Sequence, residues 1–378
     1  MTRILVSVVF ALMAWAQAAS QSLLFSPAPG SPVIVGAGSG NILLADVNGD
    51  GKLDLVIGHL LGHKLTVQLG DGTGRFGAAP GSPIVLNYPP GDIKLGDVNG
   101  DRILDLVITN NDRDVVEIFP GNGKGGFSPA PGSTLTASGS SLNLVDINED
   151  GKLDIVTANA RSNTFATLIG NGRGGFSPGP TTTLDLDTGH DRHFFAFGDL
   201  DGDGHIDVAA VNGTAGESGS GRVVVQRGDG KGAFKNPAGP ALSVPQGAFC
   251  LRLIDLNGDQ RLDIVISHGG YDVSVLLNNG RGVFAPATGS PYSIGTAGWE
   301  LAVGDVNRDG KTDLVVATVD SVTVLLGDGR GFAAAPGSPY RAGPGAYHLA
   351  IGDINGDGKL DVTAASFEGD AVTVLLGR

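Results

Sequence analysis

Short apolar runs rich in β-branched residues recur along the chain: Leu55-Val56-Ile57, Leu106-Val107-Ile108, Ile155-Val156-Thr157, Ile264-Val265-Ile266 and Leu314-Val315-Val316. Continuous apolar character over so few residues predicts strands buried on both faces. Each follows another short run, such as Ile42-Leu43-Leu44-Ala45, Leu301-Ala302-Val303 or Leu349-Ala350-Ile351, with a polar stretch between the two. A third run alternates, as in Leu65-Thr66-Val67-Gln68-Leu69 and Val372-Thr373-Val374-Leu375-Leu376, and leads into a glycine turn that ends in Phe, for example Gly70 to Phe76. Those glycines supply positive φ for a hairpin into a fourth strand. Beyond the Phe comes Ala-Pro-Gly-Ser-Pro or a variant, as at 79–83 and 335–339. Proline there predicts an outer edge strand, where no inward N–H is required.

The polar stretch between the first two runs is a nonapeptide repeated seven times, first as Asp46-Val47-Asn48-Gly49-Asp50-Gly51-Lys52-Leu53-Asp54. Its first Asp lies 51, 49, 53, 56, 50 and 48 residues before the next. A period near 50 with four strands per unit belongs to propeller blades, not helical solenoids. The fold expected is all-β, a seven-bladed β-propeller with four-stranded blades. The chain ends at Leu375-Leu376-Gly377-Arg378, one strand short of a blade, and Leu24 to Pro32 reads as the missing outer segment. The N-terminal strand is therefore expected to complete the last blade and close the ring, which leaves only short protected edges.

Positions 1, 3, 5 and 9 of each nonapeptide carry Asp or Asn. They are Asp46, Asn48, Asp50 and Asp54; Asp97, Asn99, Asp101 and Asp105; Asp146, Asn148, Asp150 and Asp154; Asp199, Asp201, Asp203 and Asp207; Asp255, Asn257, Asp259 and Asp263; Asp305, Asn307, Asp309 and Asp313; and Asp353, Asn355, Asp357 and Asp361. Oxygens at alternate positions let a short loop curl around a hard cation such as Ca²⁺, with the position 7 carbonyl and water completing the shell. Five loops have Gly at position 6, whereas Arg102 and Gln260 stand there in loops two and five, which are expected to bind most weakly if the turn needs a left-handed residue. Position 12 lacks the Glu of an EF-hand and both flanks are strands. The alternative is a set of hairpins held by side-chain to backbone hydrogen bonds without an ion.

The nonapeptide, the Gly-[Asp/Asn]-Gly-x-Gly-x-Phe turn and the Ala-Pro that follows resemble the FG-GAP/VCBS repeat family, which includes the N-terminal propeller of integrin α chains. The likeness spans about residues 22 to 378, although Phe-Gly itself is literal only at Phe76-Gly77. It implies seven blades and Ca²⁺, up to seven ions, on the Asp and Asn residues named above.

The formal charge is -14, and 22 of the 39 acidic residues sit at ligand positions. Seven Ca²⁺ would cancel that charge, and nucleic acid would be repelled. Arg3, the apolar run Ile4 to Trp15 and Ala16-Gln17-Ala18 read as a signal peptide over residues 1–20, with 21–378 as one domain. The expected location is secreted, extracellular or periplasmic. A first helix of the fold is the competing reading. No other stretch approaches the length of a membrane span. Cys250 is the single cysteine, so no intrachain disulfide forms, and its apolar neighbours make it a small buried hydrophobe.

Antiparallel strands place the cation turns and the glycine turns on one face. The opposite face carries irregular loops, where binding residues concentrate. Candidates there are His63, Tyr88, Arg113, His190, Arg192, His193, Tyr271, Trp299, Tyr347 and His348. Stacking on sugars, anchoring a peptide, and plain capping of the barrel all remain open for these aromatics. The His190-Asp191-Arg192-His193 run has the composition for acid–base chemistry or a transition metal, but no G-x-S-x-G accompanies it and the five glutamates are scattered. A solvated loop is the plainer reading. The function expected is a non-catalytic, calcium-stabilised adhesion module, a monomer, for an extracellular protein or glycan. A carbohydrate-active lyase or hydrolase and a purely structural envelope domain are the alternatives.

Overall fold

The computed structural model describes residues 23–378 apart from 111, 131, 138, 140, 160–161, 185, 187–191, 214–220 and 238; for 192, 193, 213, 236 and 237 the backbone alone is described. The signal-peptide reading of residues 1–20 lies outside it. The described residues form strands and turns and no helix, so none is long and apolar enough to cross a membrane.

Seven antiparallel sheets stand in a ring, and the innermost strand of each touches that of the next, the last returning to the first. Blade 1 runs from the innermost strand Ser39–Ala45 through Asp54–His59 and Lys64–Gly70 to the outer Phe76–Ala78. Blades 2 to 6 repeat this order, with innermost strands Ile93–Gly96, Ser141–Val145, Arg192–Gly198, Ala248–Ile254 and Gly298–Gly304. Blade 7 consists of His348–Gly352, Asp361–Ser366 and Ala371–Gly377, and its outer strand is Phe25–Pro27 from the N-terminal side. The expected closure is thus present, with Phe25 opposite Gly377 and Pro27 opposite Leu375.

The second strands are buried along their whole length in five blades, as in Asp313–Thr318. Their apolar runs are continuous because each is covered by a blade on either side. Seven hydrophobic clusters follow, one at each junction between neighbouring blades. Phe25 belongs to the cluster between blades 6 and 7, where its ring meets Tyr340 edge-on at 5.3 Å.

The outer strand differs from the expectation in one respect. In blades 1, 4, 5, 6 and 7 it is split, and both pieces pair with the third strand. At the split in blades 1, 5, 6 and 7, Ser82, Ser290, Ser338 or Ser31 of the Ser-Pro step accepts the third-strand N–H of Val67, Val275, Val324 or Val374 at 2.9 Å. The serine hydroxyl replaces a carbonyl where the chain bends away, which accounts for Ser before the proline.

Candidate metal loops and the opposite face

Each nonapeptide links the first strand of a blade to its second. Across the seven loops, one carboxylate oxygen of the position 1 Asp accepts the position 6 N–H at 2.7–3.0 Å. The position 3 Oδ1 accepts the position 5 N–H at 2.8–3.2 Å. The position 5 Oδ1 accepts the position 7 N–H at 2.8–3.1 Å. The side chains therefore set the curl of the loop through its own amides, while keeping further lone pairs.

Position 6 requires a left-handed residue, as Gly51 (φ 81) shows, and Arg102 (φ 68) and Gln260 (φ 67) hold that conformation without glycine. Position 4 requires it as well, with Glu149 (φ 61) and Arg308 (φ 62) in place of the glycine of the other five loops. That second strained position was legible in the sequence as Gly at position 4 of five loops, and position 6 alone was read.

The position 9 Asp has a second role that its ligand spacing did not disclose. All seven, Asp54, Asp105, Asp154, Asp207, Asp263, Asp313 and Asp361, are fully buried. Oδ2 of each accepts the position 2 N–H at 2.8–3.1 Å. Oδ1 accepts the N–H of Gly70, Gly121, Gly170, Gly228, Asn278, Gly327 or Gly377, where the third strand enters its turn, at 2.7–3.0 Å. This carboxylate latches the cation turn to the glycine turn. The glycines at that point have no room for a side chain: a Cβ on Gly70 would lie 2.2 Å from the Leu53 carbonyl oxygen.

Burial raises the pKa of every latch Asp; the two amides pull it back, and the acids of its own loop raise it again. The donor set is thus all oxygen, with mutually repelling carboxylates around a buried one, and a divalent cation would relieve that repulsion. The residues fit Ca²⁺ in this chemical sense. Among the described residues, three such acids come together in loop four, where oxygens of Asp199, Asp201 and Asp207 lie within 4.8 Å of one another.

On the opposite face the candidates divide. Tyr271 is 60% exposed and holds φ 77, a left-handed conformation for an aromatic residue. His63 and Arg113 are exposed. Trp299 of blade 6 stacks on Phe249 of blade 5 at 4.2 Å and on Tyr347 of blade 7 at 4.3 Å, and Tyr347 is 6.2 Å from Phe367. Phe249, Trp299 and Tyr347 occupy one register position, six residues before the loop, where blades 1 and 2 have Gly40 and Gly91. Neighbouring rings cover the faces of Trp299, so stacking of a sugar on it is corrected to stacking within the protein. Its Nε1 is buried without an acceptor.

Tyr88 is a further correction. It is 4% exposed within the core between blades 1 and 2, and its hydroxyl donates to Glu117 at 2.8 Å. Its position in a connection between blades had suggested the surface, but the ring fills the gap under that connection. His190 and the side chains of Arg192 and His193 lie outside the described residues. His348 Nδ1 is 3.1 Å from Glu300, whose other oxygen accepts from Arg252 at 3.0 Å. Burial acts to raise the Glu300 carboxyl, but His348 and Arg252 outweigh it and hold it below the usual range. Arg252 was not singled out from the sequence, and Glu300 was read only as one of five scattered glutamates; their charge on otherwise apolar innermost strands was the available signal. His59 and His268 are buried and bonded to Thr66 and Ser274. Cys250 is buried, and that burial pushes its thiol up.

A closed ring of seven acidic-looped blades defines a repeat β-propeller. The FG-GAP-like repeat model matches residues 46–108, 97–157, 146–210, 199–266, 255–316 and 305–364, and the chain belongs to that family. No curated protein matches it in sequence. Among solved structures, BBS1N crystallised in complex with ARL6DN and soaked with lead is similar over 94% of this chain and 97% of that one, with TM-score 0.62 and 12% identity. An Agrocybe aegerita structure described as showing specific recognition of non-reducing terminal N-acetylglucosamine is similar over 87% of this chain and 85% of that one, with TM-score 0.53 and 20% identity. At these identities the likeness is one of fold.

Proposed function

We propose that this chain is an exported, calcium-stabilised propeller that binds an extracellular protein or glycan through the face opposite its acidic loops, without catalysis. The observation that carries this reading is the division of the ring. Seven like loops with crowded carboxylates share one face, while the residues that break the repeat, Tyr271, His63, Arg113 and the Phe249–Trp299–Tyr347 stack, are on the other. A repeating face suits ions and an irregular face suits a specific partner. The two similar folds, one solved with a protein partner and one described as recognising a sugar, support a binding role. The residues that would hold calcium are those at positions 1, 3, 5 and 9 of each loop, and the ion would neutralise their charge.

The test is a glycan array and a display screen of extracellular domains with the calcium-loaded protein, repeated with Tyr271→Ala and His63→Ala. Binding that weakens tenfold or more in either variant, by order of magnitude for one contact residue, supports the face assignment. Binding unchanged in both contradicts it.

A carbohydrate-active enzyme is the second reading, and the Arg252–Glu300–His348 cluster on the innermost strands of blades 5, 6 and 7 favours it. Turnover of a polysaccharide panel that Glu300→Gln abolishes would establish it. Absence of turnover leaves the binding module.

A further inference from the structure

Loop four differs from the other six in two linked ways. It alone has Asp, not Asn, at position 3, and its blade alone has arginine just before the latch glycine. The corresponding residues are Leu69, Pro120, Ile169, Leu277, Leu326 and Leu376. Five of these are aliphatic and pack against the clusters between blades. Arg227 instead turns its guanidinium to loop four, where Nε lies 2.9 Å from Asp201 Oδ2.

The pair is unlike the other ion pairs of these loops. Lys152, Arg261 and Lys359, at position 7, reach the outer oxygen of the position 5 Asp in their own loops, whose side chains are 34%, 31% and 35% exposed. Asp201 is 7% exposed. Its other oxygen accepts the Asp203 N–H, so it lies within the curl of the loop. The position 7 residue of loop four, His205, points away to Glu149 of loop three at 2.8 Å. The carboxylates of loop four therefore have a half-exposed guanidinium against the mostly covered Asp201 side chain, and the extra acid and the extra base offset each other.

We propose that Arg227 is the resident cation of loop four, and that this loop stays free of calcium while the other loops load. The inference rests on the calcium reading of those loops. A fixed positive charge beside the site opposes a divalent ion and occupies a lone pair that would face it. Calcium binding there is weakened by about tenfold or more relative to a loop without the arginine.

The experiment counts calcium bound to the full chain at millimolar free Ca²⁺, by equilibrium dialysis and elemental analysis. It compares wild type with Arg227→Leu and with the double variant Asp201→Asn/Arg227→Leu, which gives blade 4 the pairing of blades 1, 5, 6 and 7. The double variant is expected to bind one ion more than wild type. Arg227→Leu alone is expected to melt lower than wild type in EGTA and to recover in calcium. Equal calcium counts in wild type and the double variant overturn the proposal while leaving the calcium reading in place. A count of zero in all three overturns the calcium reading itself.

Discussion

Replacing Asp313 by Asn tests the latch while preserving side-chain shape. In the native chain Asp313 is fully buried and accepts Val306 N–H at 2.9 Å and Gly327 N–H at 2.8 Å. An amide offers one oxygen and one NH₂, so one of those N–H groups would face another donor. A buried donor left unpaired costs about 1–3 kcal/mol, and a hydrogen bond to a charged acceptor contributes about 1.5–3 kcal/mol. Against this, burial and the neighbouring Asp309 and Asp305 already raise the Asp313 pKa, so removing the charge offsets part of the loss. The net destabilisation expected is about 2–3 kcal/mol. The assay is equilibrium urea unfolding at neutral pH in EGTA, followed by Trp299 fluorescence. Asp309→Ala is the control: that side chain is exposed and its loss leaves the Lys311 N–H to water, so in EGTA it should cost about 0.5–1 kcal/mol, less than the latch, yet it removes a candidate calcium ligand. If Asp313→Asn unfolds at the wild-type urea concentration in EGTA, the latch is refuted and position 9 serves only the ion.

Phe25→Ala should destabilise by about 3–4 kcal/mol, because the ring is 2% exposed in the closing blade; a urea midpoint equal to wild type would mean that the N-terminal strand does not hold the ring. Arg102→Gly should stabilise by about 0.5–1 kcal/mol, since the native φ of 68 strains an arginine and suits glycine; a lower melting temperature would show that the arginine has a compensating contact. His268 is fully buried, and burial lowers its pKa from 6.5 to about 4. A depressed histidine binds its proton only after unfolding, so its contribution is complete above pH 6.5 and is lost as pH falls toward about 4. That loss amounts to about 3 kcal/mol, and His268→Gln should flatten the fall in stability across the window; an unchanged pH profile would exclude His268 as its cause.

The blades were legible because the same physical problem is solved seven times. Leu106-Val107-Ile108 and its counterparts are buried on both faces, and that condition is written locally in each run. Ring closure was legible because Leu24 to Pro32 repeats the outer-strand composition missing after Leu376. The latch was not, since ligand spacing and a buried double acceptor call for the same residue at position 9, and the second partner lies 14 to 21 residues further on. Tyr88 was misplaced because a connection can bury a ring under itself while its backbone stays at the surface. Phe249, Trp299 and Tyr347 were each visible, but their contact requires three blades side by side. Arg227 looked like any strand-end arginine until the turn brought it to Asp201.

The central claim is that the acidic face is an array of calcium sites that stabilises the ring. One measurement addresses it most directly: the melting curve of the intact chain in EGTA and in millimolar Ca²⁺, with bound ions counted on the same samples. Each site filled at about a hundred times its dissociation constant adds about 2.7 kcal/mol, so several sites together should raise the melting temperature by well over about 10 °C. That rise, with six ions per chain, is the result predicted. Superimposed curves with no bound calcium would contradict the claim and leave the seven loops as hairpins held by their own hydrogen bonds.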